Sequence, residues 1–342
     1  MNRETPHRIY FLDLARGVAI FSMFFQHCMI LHEKTAGEGD TILGNIFVLA
    51  GTVPAAPVFM VLLGTFLMKS TDNCCRPTLL RGVKLLLLGY LLNLVRFTIP
   101  LEIVGIDRSL YLPDESPLSL FLAFDILQLA GLSLLIIAFL KKYSSVPFLF
   151  PVLMVCILWF SPFLWGKCPH IPFFFPFWGT GKNVYFPLFP WIIYILLGMH
   201  VSRYLLVQEL SGRLLRIFLG IGGVCICTGL LLFDVFPVGD YHRSGLSVHL
   251  VIIGFIFVWL PLCQVIIQKT PSAHPILQTL FFWSRHVTSV YCIQWILFGW
   301  SLLIFGVNRQ DDYVAALIGL SVLIVTHFVV KSSKIQRMFS WV

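Results

Sequence analysis

An apolar run near the start of the chain carries Asp13, Arg16 and His27, with His32 at its far end. An ionisable side chain in the interior of a bilayer is costly, so each of these is a functional candidate by default. Asp13 and Arg16 are three positions apart and can pair on a helix. Arg16 and His27 are eleven positions apart. That is close to three full turns, so both fall on nearly one helix face, ~16 Å apart along the axis. A cation at one depth and a base at another suit a long substrate threaded along the helix. Its anionic or carbonyl-rich part would lie near Arg16 and its reactive end near His27.

Further candidates fall at a similar depth to His27. Asp125 and, one turn on, Gln128 lie at the outer end of a fourth apolar run; Arg96 ends a third, and His249 begins an eighth. A carboxylate such as Asp125 can hold a histidine in one tautomer and raise its basicity. The plainer alternative is that Asp125 and Arg96 neutralise each other. Arg285, His286 and Tyr291 stand near the inner start of a ninth run, where they join a basic face able to bind the phosphates of a nucleotide-type donor. An outer loop over 166–185 is rich in Pro, Phe, Trp and Gly and reads as part of an interfacial aromatic belt.

Composition says what must position these residues. The 342 residues are 58% hydrophobic and only 12% charged, with a mean hydropathy of +0.88. An ordinary soluble domain has about 25% charged residues. So few charges cannot cover a water-facing surface, and the same composition excludes disorder. What remains is an all-α polytopic bundle in which lipid replaces water over most of the surface. We place spans at about 9–31, 45–68, 83–101, 118–140, 146–165, 186–206, 214–236, 246–268, 286–305 and 312–330. A short interfacial helix is predicted at about 275–284, and Pro147, Pro187, Pro190 and Pro261 near helix ends. Ten spans leave no room for a further soluble domain, so residues 1–342 read as one integral membrane domain. No small-residue cleavage site follows the first run, which therefore reads as a span and not as a signal peptide.

Charge bias orients the bundle. With the N-terminus in the cytosol, 15 of the 24 Lys+Arg face inward, 6 face outward, and Arg16, Arg96 and Arg285 lie at or within the membrane. The positive-inside rule then predicts both termini in the cytosol and a multi-pass protein of the cell (inner or plasma) membrane. The formal net charge of +8 follows from that bias. No basic stripe with interleaved aromatics appears, so nucleic acid is not an expected partner. The nine cysteines show neither zinc spacing nor a disulfide framework, and no metal site is expected.

Four segments carry a resemblance. RIYFLDLARGVAIFSMFFQH (8–27) resembles the first helix of the transmembrane acyltransferases: acyltransferase family 3, and the heparan-α-glucosaminide N-acetyltransferase-like group with its YeiB-type relatives. VPAAPVFMVLLGTFL (53–67) is similar to the second-helix pattern, YFPLFPWIIYILLG (185–198) to the FPLFPW helix of the heparan and YeiB branch, and SRHVTSVYCIQWIL (284–297) to the penultimate-helix motif.

The resemblance implies transfer of an acyl group, usually acetyl, from cytosolic acyl-CoA to a hydroxyl or amine of a sugar across the membrane. It implies His27 as the catalytic histidine, with Arg16 serving the donor. Where many relatives carry a helper histidine, this chain has Gln294; where the heparan-type active histidine lies further on, His32 is the nearest candidate. The expected site is therefore His27 and Asp125 as catalytic residues, with Asp13, Arg16, His32, Arg96, Gln128, His249, Arg285 and Tyr291 binding donor or acceptor. The expected partners are acyl-CoA as donor substrate, a carbohydrate acceptor and the bilayer, with no tightly bound cofactor; self-association into a homo-oligomer is compatible with the sequence. The competing class is a transporter using the same buried Asp, Arg and His, although the inverted repeats common in transporters are not seen. A non-catalytic membrane scaffold is the third.

Overall fold

The protein is described by a computed structural model covering residues 8–34, 44–46, 51–69, 75–103, 116–143, 146, 148–236 and 240–339. Among these the secondary structure is helical, with two isolated bridges in place of any sheet. The helices are α1 (Tyr10–His32), α2 (Ala56–Leu67), α3 (Cys75–Asn93), α4 (Pro117–Phe121), α5 (Ile126–Leu140), α6 (Leu149–Leu164), α7 (Leu188–Leu205), α8 (Gly212–Leu231), α9 (Leu246–Lys269), α10 (Pro275–Arg285), α11 (Val287–Phe305), α12 (Asp312–Lys331) and α13 (Ser333–Phe339). Seven of the described helices are long and apolar enough to cross a membrane: α1, α3 with its extension, α7, α8, α9, α11 and α12. The remaining three predicted segments hold the shorter apolar helices α2, α5 and α6.

Small residues let the helices approach where no hydrophobic drive exists between them in lipid. A Cβ on Gly17 would stand 2.6 Å from the Leu280 carbonyl oxygen, so α10 lies directly on α1. Gly82 and Gly131 likewise meet each other's backbone between α3 and α5, and Gly222 and Gly254 between α8 and α9. The predicted interfacial segment is α10, which starts on Pro275 at its first turn, where the missing N–H costs nothing.

Three departures from the predicted elements matter. The third span starts at Cys75, not near residue 83, and α3 runs through a π-helical turn (Leu94–Thr98) into a last turn, Ile99–Ile103. The fourth is broken: α4 stops at Phe121, and α5 begins afresh with Asp125 as its N-cap. The backbone between them is satisfied by the segment that precedes α7, since Phe124 N–H donates to the Asn183 carbonyl (2.7 Å) and Tyr185 N–H to the Phe124 carbonyl (2.9 Å). Pro261, expected near a helix end, lies inside α9. Within α7, Phe189 leaves the helical conformation, and the Phe189–Pro190 bond is cis.

Candidate functional site

The site is built along α1, against which α10 and α11 pack. Three contacts mark it from the N-terminal to the C-terminal end of α1. Ser284 Oγ donates to Asp13 Oδ1 (2.8 Å), Gln294 Nε2 lies 3.0 Å from His27 Nδ1, and His32 Nε2 lies 3.0 Å from Ser301 Oγ.

At the N-terminal end of α1 Asp13 pairs with Arg8, not with Arg16. Arg16 donates instead to the Ser284 carbonyl (3.3 Å), and its guanidinium lies 4.8 Å over the Phe66 ring. Arg8 also donates to the Phe281 carbonyl and sits over the rings of Tyr10 and Phe281. Arg285, at the end of α10, is exposed, with its Nε on the Phe281 carbonyl (3.4 Å). Burial and the neighbouring Arg285 charge lower the pKa of His286, which caps α10.

Toward the C-terminal end of α1 four helices converge. Arg96, only 1% exposed, comes from the π-turn and donates to Asn93 Oδ1 (2.8 Å) and to Asp125 Oδ2 (2.9 Å). The extra residue of a π-turn shifts the register of the helix, a recurrent device at functional sites. Gly299 admits this backbone, for a Cβ there would strike the Arg96 carbonyl. Asp125 is engaged on both oxygens: Oδ1 caps α5 at the Ile126 N–H (2.7 Å), while Oδ2 accepts from Arg96 and from the Tyr291 hydroxyl (3.2 Å). Gln128 completes the capping box, its Oε1 accepting from the Asp125 N–H (3.2 Å). A carboxylate so enclosed needs this full set of partners to stay charged.

His27 is half-buried beside that cluster. Its ring packs on the Trp295 indole (4.1 Å between centroids), and the Arg96 guanidinium lies 4.3 Å from the same indole. Gln294, fully buried, makes the hydrogen-bonding contact with Nδ1, the position expected for Asp125. Asp125 stays within electrostatic reach of His27 without touching it.

Two expected residues stand apart. His32 is fully buried between Phe298 and Phe305. His249 is fully buried as well, with Tyr194 Oη 2.7 Å from Nδ1 and Ser244 Oγ 3.5 Å from Nε2. Among the described residues no cluster of His, Cys, Asp and Glu is able to hold a metal ion. Sequence reasoning passed over Asn93 and Trp295. The signal for the latter was present: Tyr291, Gln294 and Trp295 share one face of a mostly apolar helix.

No curated protein matches the chain. Residues 8–220, which supply His27, Arg96 and Asp125 but not Tyr291, Gln294 or Trp295, match the family model described as heparan-alpha-glucosaminide N-acetyltransferase, catalytic. With well over half of its length so matched, this helical membrane chain belongs to the heparan-alpha-glucosaminide N-acetyltransferase catalytic family, and acetyl transfer is the chemistry against which its buried polar site is to be understood.

Proposed function

We propose that the protein transfers an acetyl group from cytosolic acetyl-CoA to a hydroxyl or amine of a sugar on the opposite side of the membrane, with His27 as general base. The proposal includes ten membrane crossings with both termini in the cytosol, residence in the cell membrane, and kinship with the YeiB-type and acyltransferase family 3 proteins. The observation that carries it is the seat of His27: a half-buried imidazole, gripped at Nδ1 by Gln294, backed by Trp295 and by the Arg96–Asp125–Tyr291 cluster.

The chemistry follows from the two ring nitrogens. A base needs one nitrogen unprotonated and turned to the acceptor, with the other protonated and held. Gln294 Oε1 is buried without a hydrogen-bond partner among the described residues. Turning the carboxamide by half a rotation puts that oxygen on Nδ1–H, because amide oxygen and nitrogen are nearly isosteric. Nε2 then carries the free lone pair. It takes the proton from the acceptor O–H or N–H while that oxygen or nitrogen attacks the thioester carbonyl carbon. The C–S bond breaks, and the departing thiolate of CoA takes the proton back from the imidazolium. Arg16, three turns nearer the cytosol on the same helix, binds the amide carbonyls or phosphate of the donor arm.

The test is turnover of acetyl-CoA by the purified protein with amino sugars as acceptors. His27→Ala is expected to lose activity by about 10²- to 10⁴-fold, the usual worth of a positioned base. Transfer that survives this substitution would remove His27 from the mechanism. Absence of acetyl-CoA binding by the wild type would favour a permease built on the same buried charges.

A further inference from the structure

The loop between α8 and α9 brings a second histidine toward the same end of the bundle. His242 lies in a 3-10 turn, Tyr241–Arg243, far in sequence from every residue of the site. Two chains of contacts locate it. On one side, Tyr241 Oη donates to the Thr52 carbonyl (2.6 Å), and Thr52 Oγ1 accepts from Gln26 Nε2 (2.9 Å), the neighbour of His27. On the other, the His242 ring lies against Tyr185 (5.9 Å between centroids), whose backbone pairs with Phe124, the neighbour of Asp125. In agreement, Asp125 is within electrostatic reach of both His27 and His242.

The loop is built to hold this ring still. Phe186 meets it edge-on at 4.9 Å and Tyr241 at 5.3 Å, while Trp191 Nε1 donates to the His242 carbonyl (2.9 Å). Arg243 ties the loop down through Nε on the Gly179 carbonyl (2.7 Å) and Nη2 on the carbonyls of Gly181 (3.0 Å) and Val184 (3.1 Å). Yet the imidazole so fixed makes no hydrogen bond to another described residue, and its Nδ1 is enclosed. Burial lowers its pKa, which favours the neutral ring, a form that both donates and accepts. A buried polar atom left without a partner is costly and calls for an explanation.

We propose that His242 is the acceptor-binding residue of the site: its imidazole hydrogen-bonds a second hydroxyl or amine of the sugar ring, and so presents the reacting group to His27. The division of labour rests on the function proposed above. Arg16 serves the donor from within, His27 moves the proton, and His242 selects and orients the acceptor from outside.

Steady-state kinetics with acetyl-CoA and glucosamine test this. In His242→Ala the KM for glucosamine rises about tenfold or more, the equivalent of one lost hydrogen bond of ~1.4 kcal/mol. The KM for acetyl-CoA moves by less than about twofold, within the scatter expected for a site left otherwise intact. His242→Phe, which refills the aromatic enclosure without a polar atom, is expected to match His242→Ala, and His242→Gln to recover part of the affinity. Wild-type behaviour of His242→Phe would mean that the ring merely packs, and would overturn the proposal. An equal rise in both KM values would do the same, since that is general damage. If His242→Ala is silent while His27→Ala is dead, only this inference falls. If His27→Ala retains transfer, or the wild type transfers to no amino sugar, the underlying function falls with it.

Discussion

The two ends of α1 both carry buried charge, yet they are built differently. Near the N-terminus of α1, Arg8, Asp13 and Arg16 reach α10 through a serine hydroxyl, two backbone carbonyls and an aromatic face, and Arg16 also lies over Phe66 of α2. The Arg8–Asp13 pair keeps side-chain exposures of 29% and 13%, so water still screens it. Near the C-terminal end of α1 Arg96 and Asp125 are 1% and 9% exposed, and their partners come from α3, α5 and α11. The first network chiefly fastens α10 to α1. The second holds several helices in register around an imidazole. Counting intramembrane charges does not distinguish the two; the number of elements that converge on them does.

The sharpest way to break this contrast is to cut one ion pair at each end. Arg96→Met leaves the buried Asp125 carboxylate without its cation, and is expected to cost about 3–5 kcal/mol in stability. Arg8→Met leaves Asp13 with Ser284 and some water, and is expected to cost no more than ~1 kcal/mol. Thermal melts in detergent compare them; similar losses would erase the distinction. A smaller effect is expected at Gln294. Gln294→Leu removes the group at Nδ1 while keeping bulk, so kcat should fall by about 10- to 100-fold, the lower part of what general base catalysis contributes, with both KM values near wild type. A fall in KM affinity with unchanged kcat would show that Gln294 binds substrate and does not orient His27. The smallest effect is expected at Arg16. Arg16→Ala should raise the KM for acetyl-CoA about tenfold, one charge-assisted hydrogen bond, and leave the acceptor KM alone. An unchanged donor KM would make Arg16 an anchor of α10 like its neighbours.

Much of the frame was legible from local pattern. Apolar runs of about 20 residues with little charge satisfy their backbone in lipid as helices, so the long helices follow from composition and length. The eleven-residue step from Arg16 to His27 follows from helical geometry alone. Asp13 and Arg16 show where local pattern stops. Their spacing permits a pair, but Arg8 and the Ser284 carbonyl compete for them, and those partners are brought by the chain entry and by α10.

What the sequence by itself determined is therefore the solvent of this protein, its helices, and the presence of a base and a cation on one face of the first of them. Only the tertiary structure decided which polar groups meet. It broke the fourth span so that Asp125 caps a helix, turned Arg96 inward from a π-turn, set Gln294 on His27, and tied Tyr241, beside His242, to the Thr52 carbonyl. The reason is physical. Helical periodicity is a property of neighbours in the chain, whereas a buried hydrogen bond between residues far apart depends on how helices pack, and packing is decided by the whole bundle at once.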